Sequence, residues 1–291
     1  IVVLDLLVFA YIFNKKRIHK KQALLNTENI PEKELTYKIE CNELYSGKKT
    51  DKSVIFLFGE FQVINKSGND ISKKFTPLLK ELFLILLFHS QKENKAISNA
   101  ALRDMLWLDK DVQSANNNRA VNIGKLKTIL NDVGDYEITN NTLQLRIDLG
   151  RNISCDYYEF CDLLKEKTIN KQQVIQLINI ASRGSLLTEC GYEWLDVFKA
   201  NVSDALIDTL LGFGRMIDLS KESRLIIQLS DMIFLFDPLN EEALNLKCRA
   251  LIHSGKHSSA KATYTRFTKE YESLFSTPYK FSFSEVICVE D

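Results

Sequence analysis

The sequence predicts two folded parts of different class: an α+β domain in which short strands bracket three helices, then an all-α domain. Three observations carry this. Between residues 53 and 150, β-rich runs at both ends enclose a long helical pattern. After residue 155, apolar residues recur only at helical spacing. The chain has 291 residues, 45% hydrophobic and 26% charged, which is enough for two cores and excludes wholesale disorder. Eleven Gly and four Pro argue against a collagen-like or low-complexity chain and against a sandwich of many tight turns. Lys plus Arg and Asp plus Glu both number 38, so any nucleic-acid surface must be a local feature.

The chain opens on Ile1 rather than Met, and the expectation is a piece of a longer product. Residues 1–21 place thirteen mostly apolar residues, IVVLDLLVFAYIF, before Lys15, Lys16, Arg17, His19, Lys20 and Lys21. A basic cluster after an apolar run marks the cytoplasmic side of a membrane. This segment reads as the end of a single-pass anchor holding the chain at the cytoplasmic face of the inner membrane. The competing reading is a buried helix whose basic end suits the helix dipole. Residues 22–52 are polar, weakly patterned and read as a linker.

From residue 53, SVIFLFGEFQVIN gives two short strands around Gly59, followed by a turn through Ser67-Gly68-Asn69 and a third short strand near Ile71. Thr76-Pro77 opens a helix, PLLKELFLILLFHS, that is apolar on most faces and central to a core. Ser98 caps a second helix, NAALRDMLW, and a charged loop, Asp109-Lys110-Asp111, follows. A third helix spans about Ser114–Asp132 and ends near Gly134. YEITNNTLQLRI then alternates on both sides of Asn140-Asn141, a hairpin signal. This layout is an α+β winged helix-turn-helix with an N-terminal antiparallel sheet, over residues 53–150. Residues 151–291 read as helices broken at Asp237-Pro238 and Gly255, with Asn240 as a cap.

LFGEFQV, FTPLLKELFLILL, AALRDMLW and NNNRAVNIGKLKTIL, with the closing hairpin, resemble the OmpR-type DNA-binding domain, in the version found in the antibiotic-regulatory-protein (SARP) class. The third helix carries Leu126-Lys127 where that class has a Leu-Arg pair, which keeps the charge and loses the bidentate geometry. GSLL, EWLDVF, DPLNEEAL and GKHSSAKATYTRF resemble the bacterial transcriptional activation domain, an all-α TPR-like helical domain. The resemblance implies a sequence-specific transcription regulator that binds double-stranded DNA. In the OmpR class the loop matching 109–111 can touch RNA polymerase; the competing reading is a solvated charged loop. Basic residues are few on this part, and a homodimer on repeated half-sites, or clustering at a membrane, would raise occupancy.

A helical wheel of the third helix puts Arg119, Ile123, Leu126 and Leu130 in one stripe, with Ala120 beside it. The opposite face carries Asn118, Val121, Asn122, Lys125 and Thr128. Asn can pair with adenine, Val can pack on a thymine methyl, and Lys can reach guanine or phosphate. Base reading near the helix start points to Asn117, Asn118, Val121 and Asn122. Arg119 lies on the buried side of the wheel yet in the first turns, and Lys127 at the stripe edge can snorkel outward. Asn116–Asn118 also suit helix capping. The wing is expected at Asn140, Asn141 and Thr142, with Arg146 reaching phosphate or staying in solvent.

GxSxG, GxxxxGK[ST] and GxGxxG are absent, six Cys and four His show no metal-ligand spacing, and neither catalysis nor a cofactor is expected. The competing function is a non-DNA-binding adaptor that uses the TPR-like part for protein–protein interaction.

Overall fold

A computed structural model describes residues 52–91, 96–141, 143–166 and 168–288. All of them lie in the second of the two units into which the chain divides, 47–291. The anchor expected at 1–21 and nearly all of the expected linker lie outside the described residues. Among the described residues no helix is long and apolar enough to cross a membrane. The expected single-pass anchor is corrected accordingly: no described helix supplies the roughly 20 apolar residues that a span needs.

The architecture is mixed, with two three-stranded sheets among many helices. In the first sheet, β1 (Ser53–Phe56) pairs antiparallel with β2 (Gln62–Ile64), matching Val54 to Ile64. The turn between them needs Gly59, whose φ is +79°. Only an isolated bridge, Ile64 to Asp70, forms near Ile71; the expected third strand gives way to a 3-10 turn at Ser72–Lys74. Next comes α1 (Pro77–Gln91), which buries every side chain from Leu82 to Phe88. Proline sits at its first position, where a missing N–H costs nothing.

A short strand β3 (Ile97–Ser98) leads into α2 (Asn99–Leu106), and the Ser98 hydroxyl caps it by accepting from Ala101 N at 3.1 Å. The long α3 runs over Val112–Leu130, starting two residues earlier than expected because Asp111 is its cap and accepts from Ser114 N at 2.9 Å. The hairpin β4 (Tyr136–Asn140) and β5 (Gln144–Leu149) pairs Tyr136 with Leu149 and Asn140 with Leu145, and β3 completes a sheet of order β3-β5-β4.

Beyond residue 150, where only helices are expected, lies one more strand, β6 (Ile153–Cys155). It pairs parallel with β1, Ser53 opposite Ile153, and gives the first sheet its order β2-β1-β6. Helices follow: α4 (Asp156–Leu163), α5 (Lys171–Ala181), α6 (Asp196–Met216), α7 (Leu219–Phe236), α8 (Glu241–His253), α9 (His257–Phe275) and the short α10 (Phe283–Ile287). Asn240 caps α8 as expected, accepting from Ala243 N at 2.9 Å, and Gly255 follows it at φ +71°.

One hydrophobic core runs through both parts, from Ile55 to Ala243. Phe58 meets Phe160 at 5.1 Å between ring centroids, and Phe88 of α1 meets Tyr157 at 4.5 Å and Phe198 at 4.9 Å. The β1–β6 ladder and these rings cross the expected boundary at residue 150. Asp156 adds a polar clamp: its buried carboxylate accepts from the backbone N–H groups of Leu57 (2.8 Å) and Phe58 (3.0 Å), just past the end of β1. A second small core gathers Leu244, Cys248, Phe267 and Val286 at the C-terminal helices.

Candidate nucleic-acid interface

α3 is held from below. Ala115, Ile123, Leu126 and Leu130 are buried, and the helix packs on α1. Tyr136 of β4 donates its hydroxyl to Lys127 O at 3.0 Å and to Asn131 Oδ1 at 2.9 Å, fixing the hairpin against the end of the helix. Lys74 pairs with Asp132 at 2.6 Å, which ties the 3-10 turn to the residues just past α3.

The opposite side is open. Asn116, Asn117, Ala120, Val121, Gly124, Lys125, Lys127 and Thr128 are all exposed, Val121 by 56%. Of the residues expected on this face, Asn117, Val121, Lys125 and Thr128 are placed there, and Lys127 lies on its flank. The Asn117 Oδ1 accepts from Gln113 Nε2 at 3.3 Å. Thr128 donates its hydroxyl to Gly124 O at 3.2 Å.

Asn122 is not on the open face. It is 8% exposed, and its amide donates to Asn118 O at 2.8 Å. The buried arc is wider than its apolar members indicate: it extends from Leu126 through Asn122 to Ala115. A short amide that bonds back to the preceding turn can enter such an arc with its donor satisfied. Asn118 is half-buried by the same device, donating to Ser114 O at 2.8 Å. Asn116–Asn118 do not cap the helix, since Asp111 does. Arg119 is half-buried, and its Nε has no hydrogen-bond partner.

The hairpin tip is built from Asn141, whose Oδ1 accepts from Leu143 N (3.0 Å) and Gln144 N (2.8 Å). Asn99, opening α2, donates its side chain to Asn141 O at 2.9 Å and its backbone N–H to Leu143 O at 2.9 Å. Asn140 ends β4, and Thr142 lies outside the described residues. Leu143 is 77% exposed at the tip, a feature that sequence reasoning missed; its place beside the Asn pair was the available signal. Arg146 does not reach outward as expected for a wing cation: its guanidinium forms an ion pair with Asp148 two residues along the same strand, Nε donating to Oδ1 at 3.0 Å.

In the loop between α2 and α3, Lys110 pairs with Asp109 at 3.6 Å. Hydrogen bonds from Ser114 hold the Asp111 carboxyl below its usual range. Leu108 and Val112 are exposed on either side of this charged segment, an apolar pair that sequence reasoning also missed. Among the described residues no group of three or more His, Cys, Asp or Glu is placed to hold a metal ion. The described cysteines are free, and burial raises the thiols of Cys155, Cys161, Cys190 and Cys248 away from the reactive thiolate.

No protein-family model and no curated protein sequence matches the chain. Among solved structures it is similar to Mycobacterium tuberculosis EmbR, solved in complex with a low-affinity phosphopeptide. The TM-score is 0.54 at 15% identity, over 81% of this chain and 63% of that one. The chain therefore spans less than two thirds of the EmbR chain it matches. At this identity the likeness is one of fold: the chain shares the fold of that EmbR chain over the matched residues.

Proposed function

We propose that the chain is a transcription regulator in which residues 53–150 form a winged helix-turn-helix that reads the major groove of duplex DNA with the outer face of α3. Residues 151–291 are the accompanying TPR-like activation domain. The observation that carries this reading is the division of α3 into a buried seam and an open face of Asn117, Val121, Lys125 and Thr128, beside a hairpin pinned at its tip. An α-helix fits the major groove, and these side chains offer an amide, an apolar contact and a cation to base edges and phosphate. The fold shared with EmbR and the sequence resemblance to the SARP class support the reading. Lys127, Asn140 and Asn141 sit at the edges, suited to the backbone. Asn118 and Arg119 keep a secondary role on the buried flank, and Asn122 and Arg146 belong to the scaffold. The exposed Leu108 and Val112 beside Asp109–Asp111 suit a protein contact such as RNA polymerase, and a homodimer would place two reading helices on repeated half-sites.

The supply of cations is thin, because Arg146 and Lys74 are paired with Asp148 and Asp132. That favours, as a second reading, an adaptor that has given up DNA. Retention of random-sequence duplex at low salt separates the two. Wild-type chain should retain the duplex. Val121→Glu should abolish retention while leaving the fold intact, and Val197→Glu, at an exposed position at the start of α6, should not. Absence of retention by the wild-type chain at any salt would leave the adaptor.

A further inference from the structure

The open face of α3 is chemically narrow. At about 100° per residue, Asn117, Val121, Gly124 and Thr128 fall within roughly 60° of one another. Lys125 lies about 40° to one side of Val121 and Lys127 about 120° to the other. The centre thus offers one amide, one isopropyl group, one bare stretch of backbone and a Thr whose hydroxyl is bonded to Gly124 O. Cations stand only at the flanks, where the phosphate strands bordering a groove run.

Guanine is read in the major groove by a cation donating to O6 and N7. No arginine is available for this: Arg119 lies on the buried side with its Nε buried, and Arg146 is paired with Asp148. Val121, more than half exposed, has one complement on a base edge, the thymine C5 methyl. Asn117, one turn earlier and so about 6 Å along the axis, is within two base-pair steps of it and matches the N6 and N7 of adenine. Gly124 leaves the same face open to a close approach. A Cβ built there meets nothing within 4 Å, so the protein's own packing does not require glycine in mid-helix, where it is a poor helix former. A bare exposed position is useful when another surface must come close.

We infer that the DNA half-site has an A·T core, recognised through thymine methyl groups at Val121 and Thr128 and through adenine at Asn117, with no arginine to read guanine and Lys125 directed to phosphate. The inference rests on the DNA-reading function proposed above. The test is selection of duplexes from a random library by the full chain, followed by affinity for the selected duplex with thymine replaced by uracil. Consecutive A·T pairs are expected at the core, with a loss of about fourfold for each contacted methyl removed. Val121→Ala should bind the thymine and uracil duplexes equally at the step it contacts. A selected core of G·C pairs, or a wild-type affinity indifferent to uracil, overturns the inference and leaves DNA binding standing. Failure to retain any duplex overturns the proposed function itself, and this inference with it.

Discussion

Replacing Asp156 tests how the first sheet is fastened to the helices behind it. This carboxylate opens α4 directly after β6 and accepts from Leu57 N and Phe58 N, and it is 5% exposed. Burial raises its pKa from 3.8 to about 7, and the backbone N–H bonds, which favour the ionised form, offset only part of that. The folded protein therefore holds a proton that the unfolded chain has released over this interval. The associated stability is complete below the unfolded carboxyl pKa and is lost as pH rises through about 7. At roughly 1.4 kcal/mol per pKa unit the full swing is about 4 kcal/mol, of which about 3 kcal/mol falls above pH 5. Asp156→Asn keeps the shape and removes the ionisation. It leaves one of the two backbone N–H groups facing an amide nitrogen, at a cost of about 1–3 kcal/mol independent of pH. Urea unfolding followed by circular dichroism from about pH 5 to about pH 8 should show wild type losing about 3 kcal/mol more than Asp156→Asn. Parallel pH profiles for the two proteins would refute the assignment of a buried, proton-holding clamp.

Asn122→Leu should leave urea stability within about 1 kcal/mol of wild type, because the side chain lies in a buried arc and bonds only to its own helix. Its duplex affinity should stay within about twofold of wild type, and a folded Asn122→Leu that no longer binds duplex would show that the amide reaches DNA. Gly59→Ala should destabilise by about 3 kcal/mol or more, read as a lower melting temperature: φ is +79°, and the added Cβ would sit 2.4 Å from Arg183 O.

Much of this fold was legible because its signals are local. Ser98 and Asn240 cap the helices they precede, Gly255 follows α8, and the hairpin forms, although Asn140 still pairs with Leu145 in the ladder and the turn falls beyond the expected Asn140-Asn141. The strand β6 was not legible: three residues carry no periodicity, and its partner β1 lies about a hundred residues earlier, joined in a parallel ladder that needs no turn. That ladder and the rings around Phe88 merge two sequence segments into one core, which no composition shift announces. The start of α3 lies two residues before the expected Ser114 because Asp111, which the sequence places in a charged loop, is its cap. Within the site, residue type misled at Asn122, where an amide closed on its own helix behaves as a core residue. The Arg146–Asp148 pair was readable in principle, since residues two apart on a strand share a face.

The most direct test of the central claim is the salt dependence of duplex affinity for the full chain, compared with the Lys125→Ala/Lys127→Ala double variant. Both lysines are exposed on α3, outside its buried seam, so the double variant should fold. If the outer face of α3 lies in a groove between phosphate strands, each lysine that meets a phosphate contributes about 0.9 to the slope of log affinity against log salt. The double variant should therefore lose about 1.8 of that slope for each bound chain. A wild-type affinity that does not fall with salt, or a slope identical in the double variant, would contradict the account.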